Sequence, residues 1–112
     1  MAGDLANLKK GAQTIVELNV QNQALTDTAA EILLSYYDIA TDQQVEALSW
    51  LAKSLGHSTS GRYSDTLNEI KEKGSHGKLR RHAKKSLKRH GEAVGEQYQK
   101  GMLGKEVPDY YL

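Results

Sequence analysis

The 112-residue chain contains no cysteine. That excludes a disulfide framework, a thiolate metal site and a cysteine nucleophile, and leaves the redox compartment open. It has no Phe and a single Pro. So few breakers over this length favour helices over a strand-and-turn protein. No apolar run approaches the roughly 20 residues of a membrane span. Residues 1–6 (MAGDLA) carry neither a cationic flank nor an apolar h-region. No signal peptide is expected from them, and the location they imply is cytoplasmic. A chain whose signal had been removed beforehand would instead be exported.

Hydrophobic residues make up 38% and charged residues 26%, which marks a globular rather than a disordered chain. The length suits one domain with its own core. The net charge is only +1, but its distribution is uneven. Residues 1–60 hold seven acids and three bases, whereas residues 61–112 hold seven acids and twelve bases. Such asymmetry points to an anionic partner or to contact between the two ends.

Apolar spacing predicts five helices. In the first, over about 4–18, Leu5, Leu8, Ala12, Ile15 and Val16 make one stripe. Residues 14–20 also have the β-branched content of a strand, but the stripe begins ten residues earlier. The second covers about 25–38, with Ala29, Ile32, Leu33 and Tyr36 inward. Its expected start is a capping box from Thr28 to Glu31, with Thr26 as a rival cap. The third covers about 42–55, with a clearer capping box from Thr41 to Gln44 and Gly56 as a stop. Val45, Leu48, Leu51, Ala52 and Leu55 point inward. The fourth, about 62–73, turns Tyr63, Leu67 and Ile70 inward. The fifth, about 78–90, has a narrow seam of Leu79, Ala83 and Leu87. From Glu92 the regular pattern stops. Gly95, Gly101 and Gly104 weaken any helix, and Val107-Pro108 reads as extended. Tyr98, Tyr110, Tyr111 and Leu112 are candidates to anchor this tail, with a mobile end as the alternative. The organisation expected is one helical domain over residues 1–91 and a partly irregular tail over 92–112.

Three stretches carry a family resemblance: residues 46–56 (EALSWLAKSLG), 62–70 (RYSDTLNEI) and 78–87 (KLRRHAKKSL). One helix ends at Leu-Gly, the next begins at Arg-Tyr, and a third carries a basic Leu-Arg-x-x-Ala-x-x-x-Leu run. Together they make residues 42–90 resemble a HEAT-like repeat segment of bacterial helical-repeat proteins. Residues 1–41 fit as a further hairpin. The resemblance implies an all-α fold, a short right-handed α-α superhelix of about two and a half hairpins. It implies binding of proteins, or less often nucleic acids, and no shared catalytic residues.

The sharpest local feature is the fifth helix, with Lys or Arg at 78, 80, 81, 84, 85, 88 and 89. Arg80, Arg81, Lys84, Lys85, Lys88 and Arg89 are candidate contacts for phosphates of a nucleic acid or of an anionic lipid surface; a solvated face with lysines lying over the apolar seam is the plainer alternative. A helix-turn-helix over 45–73 is also available. Its recognition helix would mix Arg62, Lys71 and Lys73 with Asp65, Glu69 and Glu72, a poor face for a major groove. Trp50 lies off the main stripe of the third helix and is a candidate protein-contact aromatic. Tyr37 is another, because Tyr36 and Tyr37 are neighbours and cannot both face one core. His76, His82 and His90 lack the i, i+4 spacing of metal ligands, and Ser58 and Ser60 beside His57 read as turn residues. The expectation is a non-enzymatic module without cofactor or metal that binds a protein partner. A nucleic-acid-binding accessory protein is the alternative.

Overall fold

In a computed structural model the described residues, 2–104 with side chains from Leu5 onward, form five helices and no strands. They are α1 (Ala2–Glu17), α2 (Gln23–Tyr36), α3 (Asp42–Gly56), α4 (Ser64–Lys73) and α5 (Gly77–His90). Each lies within two residues of its expected span. A single cluster joins Ala12 of α1, Ile32 and Leu33 of α2, Leu48, Leu51 and Leu55 of α3, Leu67 and Ile70 of α4, and Leu79 and Ala83 of α5. The expected stripes are therefore the core-facing sides.

α3 is the organising helix. It packs against α1, α2 and α5, while α4 packs on α5 and more lightly on α2. α1 and α2 do not close into the expected hairpin, since α1 lies on α3 instead. The cause is the breadth of α3's buried surface, which runs from Val45 through Ala47, Leu48, Leu51 and Ala52 to Leu55. It can receive the α1 stripe as well as α2.

The local signals fared unequally. Thr41 and Gln44 form the reciprocal capping box, with Gln44 Oε1 accepting from Thr41 N at 2.9 Å. α2 starts earlier than either Thr candidate, because Asn22 is its cap and accepts from Leu25 N at 3.1 Å. Thr28 Oγ1 instead bonds back to the Ala24 carbonyl within the helix. Gly56 does not stop α3. It lies inside the last turn, where an added Cβ would come 2.9 Å from Ser86 Cβ and 3.0 Å from Ser86 Cα. Glycine is needed there for the close approach of α3 and α5.

The segment after α5 is irregular, as expected, yet it is fastened to the body. Val94 N donates to the Gly61 carbonyl at 2.9 Å and Tyr98 N to the Arg62 carbonyl at 3.0 Å. Tyr98 is 2% exposed and belongs to the core cluster. Its hydroxyl donates to Glu31 Oε1 at 2.6 Å, and Gly101 N donates to the same oxygen at 2.8 Å. The buried Glu31 carboxylate is thus supplied with donors from a segment 70 residues away, as a buried charge requires. The expected anchors Tyr110, Tyr111 and Leu112, and the extended Val107-Pro108, lie outside the described residues.

Leu67 is fully buried, whereas Leu87 is only partly so. Leu67→Ala should lower unfolding free energy by about 2–5 kcal/mol, the range for a buried Leu, and Leu87→Ala by clearly less. Urea denaturation of the two variants, with equal losses or no loss at Leu67, would contradict this assignment of the core.

Candidate nucleic-acid interface

α5 has two unlike sides. Leu79, Ala83 and Ser86 are buried, and Leu87 and His90 are half-buried beside them. At about 100° per residue these five positions share one side of the helix. The seven Lys and Arg side chains, at 78, 80, 81, 84, 85, 88 and 89, fill the opposite half and are all exposed. No acid lies between them. Among the described residues none of the seven is in an ion pair; the acids of the N-terminal half, and Glu92 and Glu96, leave the face uncompensated. One cation has a second duty: Arg80 Nη1 donates to the Gly74 carbonyl at 2.6 Å and so closes the end of α4. Arg80, Arg81 and Lys84 also line a shallow hollow of about 240 Å³ with Lys71 of α4.

The positive field continues onto α3, which the sequence did not announce. Lys53 Nζ lies 4.6 Å from the centroid of the Trp50 ring, a cation–π contact. Trp50 is half-buried. It lines a recess between α3 and α5 with Glu46, Ser49, Lys53, Lys78 and His82. His82 is held below its ordinary value by burial, then by Lys78, Lys85, Lys53 and Arg81. His57 is lowered in the same way by burial, then by Arg89 and Lys53. Both rings therefore sit in a local excess of positive charge.

Other candidates resolve differently. Tyr36 and Tyr37 are both half-buried against the core. The Tyr37 hydroxyl donates to Glu69, and this bond, with burial, pushes the phenol up to about 12. Glu69 is in turn lowered, chiefly by that bond, which makes it a weak base. Arg62 lies outside α4 and is tied to Asp27 at 2.9 Å. α3 and α4 do not pack as the two arms of a helix-turn-helix, so that reading is withdrawn. Ser58 Oγ pairs with Ser60 Oγ at 3.0 Å, a turn contact. Among the described residues no group of three or more His, Cys, Asp or Glu could hold a metal ion. None of their helices is long and apolar enough to cross a membrane.

A second concavity, of about 500 Å³, lies between α1 and α2. Leu8, Ala12, Ile15, Val20, Leu25, Ala29 and Ile32 make it largely apolar. It exists because α1 and α2 both lean on α3 and not on each other. No family model, no curated protein and no solved structure matches the chain. The likeness to HEAT-like repeats therefore rests on residues 42–90 alone.

Three histidines share one thermodynamic consequence. His57, His82 and His90 are all lowered in the folded chain, each chiefly by burial. His90 Nε2 accepts from Tyr63 N at 3.1 Å, which needs a neutral ring. The unfolded chain then binds more protons below the ordinary histidine value of about 6.5. Stability is fully present above that pH and is lost as pH falls through it. The melting temperature should drop between pH 7.5 and 5.5, and His90→Gln should flatten the slope. A melting temperature constant across that window would show that these rings are not held neutral.

Proposed function

We propose that the chain is a non-enzymatic binding module for the phosphate backbone of a nucleic acid, with α5 as the contacting helix. The observation that carries this reading is the cationic half of α5, which no acid among the described residues pairs. Phosphate contacts need exposed, unpaired Lys and Arg in register along one surface, and release of condensed counterions then drives association. A single cationic helix face gives affinity and orientation but little base discrimination. Lys53 and Trp50 widen the face toward α3 and add a ring of the kind on which bases stack.

The pairing of α2 with α3 and of α4 with α5, with α3 against both α1 and α5, supports reading the fold as a short α-α superhelix of two and a half hairpins. On that reading α1, α3 and α5 form one layer and α2 and α4 the other. The basic helix is then the last member of its layer, free on its outer side. A cytoplasmic location agrees with such a partner.

Fluorescence anisotropy with duplex and single-stranded oligonucleotides across a salt series tests the proposal. Binding should weaken steeply with salt, and Lys84→Ala with Lys88→Ala should make the log–log slope shallower by about 2, or about 0.9 per lost contact. No binding at low salt would refute it.

The apolar groove favours a second reading, as a protein-binding module that takes an amphipathic helix of its partner between α1 and α2. Leu18 and Leu25 stand exposed at 71% and 47% near its end. A protein partner bound there should be lost on Leu25→Glu and kept in the Lys84→Ala, Lys88→Ala variant. The reverse pattern would move that partner to the basic helix.

A further inference from the structure

The recess between α3 and α5 has a feature that a solvated basic face does not require. Ser49 is 2% exposed and lines the recess, yet its hydroxyl has no hydrogen-bond partner. A buried hydroxyl without a partner is costly, and such groups are rare in folded chains. Around it stand Lys53 and Lys78, the His82 ring and the Trp50 ring, in a volume of about 210 Å³. The one acid of the lining, Glu46, is paired with Lys9 of α1 at 3.3 Å. Lys53 is drawn over Trp50, which fixes its stem beside the recess. One hydroxyl donor, two ammonium groups and an imidazole around one hollow are the donor set that suits an anion with several acceptor oxygens.

We propose that this recess binds a phosphate monoester, with Ser49 Oγ donating to one oxygen and Lys53, Lys78 and His82 around the others. The inference rests on the nucleic-acid reading for its most direct source, the phosphorylated end of a strand lying along α5. A monoester suits the site better than a backbone diester. It carries nearly two charges at pH 7 and three free oxygens, which matches three cationic or protonatable groups and one hydroxyl. A diester has one charge, and its chain must leave on two sides. The groups facing His82 are Lys78, Arg81 and Lys85 of its own helix and Glu46 and Lys53 of α3. An entering dianion reverses the balance of that field and favours the protonated form of the ring.

The test compares internally labelled duplexes of one sequence with 5′-phosphate, 3′-phosphate or hydroxyl ends, with adenosine monophosphate as a free-nucleotide competitor. A phosphorylated end should tighten binding by about tenfold, the scale of hydrogen bonds to a charged group. Ser49→Ala should abolish that increment while leaving the hydroxyl-ended duplex unaffected. Removing a partnerless buried hydroxyl does not threaten the fold, so its melting temperature should match or exceed that of the wild type. Lys53→Met should also remove the increment. Equal binding of phosphorylated and hydroxyl ends, with no competition by adenosine monophosphate, overturns this inference and leaves the nucleic-acid reading standing. Competition by the nucleotide without any duplex binding supports the recess, assigns its ligand to a free phosphate and removes the nucleic-acid reading.

Discussion

The arrangement of helices depends on one polar node where α2 and α4 meet. Their contact is much lighter than those of α3 with α1, α2 and α5 and of α4 with α5, so apolar burial alone does not hold them in place. Asp27 of α2 receives Arg62 through two nitrogens, Nε at 2.9 Å and Nη2 at 3.3 Å. It also accepts from the Tyr63 hydroxyl at 2.6 Å. That hydroxyl lies 2.6 Å from Thr26 Oγ1 as well, and Tyr63 itself is fully buried. A forked guanidinium–carboxylate pair is geometrically demanding, and around it the backbone before α4 is set. Burial, then the bond to Asp27, pushes the Tyr63 phenol up, so it remains a donor at any physiological pH.

The tail extends the same node. Arg62 lies 5.6 Å from the Tyr98 ring centroid, and Tyr98 reaches Glu31 one turn along α2 from Asp27. Gly61 makes this possible. Its φ is +73°, and a Cβ there would come 2.5 Å from Val94 Cβ. The chain after α5 can therefore lie flush along the start of α4. Because α5 is held against α3 and α4, its cationic side is the side left over. The node and the basic face are two consequences of one placement.

The helices were legible because each carries an apolar stripe at helical period, and the core residues followed from the stripes. The features that were missed depend on distant partners. Gly56 has the sequence appearance of a helix stop, and only the Ser86 backbone across the interface shows why no side chain fits. Asn22 was overlooked because α2's first turn is exposed, with Leu25 outside the stripe, so the periodic pattern starts after the helix does. Glu31 appeared as the end of a capping box, but its partners are Tyr98 and Gly101. Of the candidate interface, the α5 cations could be read directly, since a run of Lys and Arg without acids needs no tertiary information. The share of Lys53 could not, and Trp50 could be singled out only as an aromatic off its stripe. What they contribute beside the cations emerges only when α5 is laid beside α3.

The composition of α5 is itself an argument about function. Arg80 with Lys84, Arg81 with Lys85, Lys84 with Lys88, and Lys85 with Arg89 are like-charge pairs four residues apart. Each such pair destabilises a helix by roughly 0.2–0.5 kcal/mol, so the set costs on the order of 1–2 kcal/mol. The first turn holds no acid and begins with a Gly, which wastes the favourable interaction of an acid with the positive end of the helix dipole. Isolated, this segment would be a poor helix. It is held by tertiary packing, through Leu79 and Ala83 in the core and the close contact of Ser86 with Gly56. A solvated surface face is under no pressure to be so one-sided, and Glu at one or two of these positions would relieve the repulsion at no cost to the core. Local rules are most often broken where a surface has work to do. A polyanion lying along this face would offset these repulsions, as the proposed nucleic-acid contact requires.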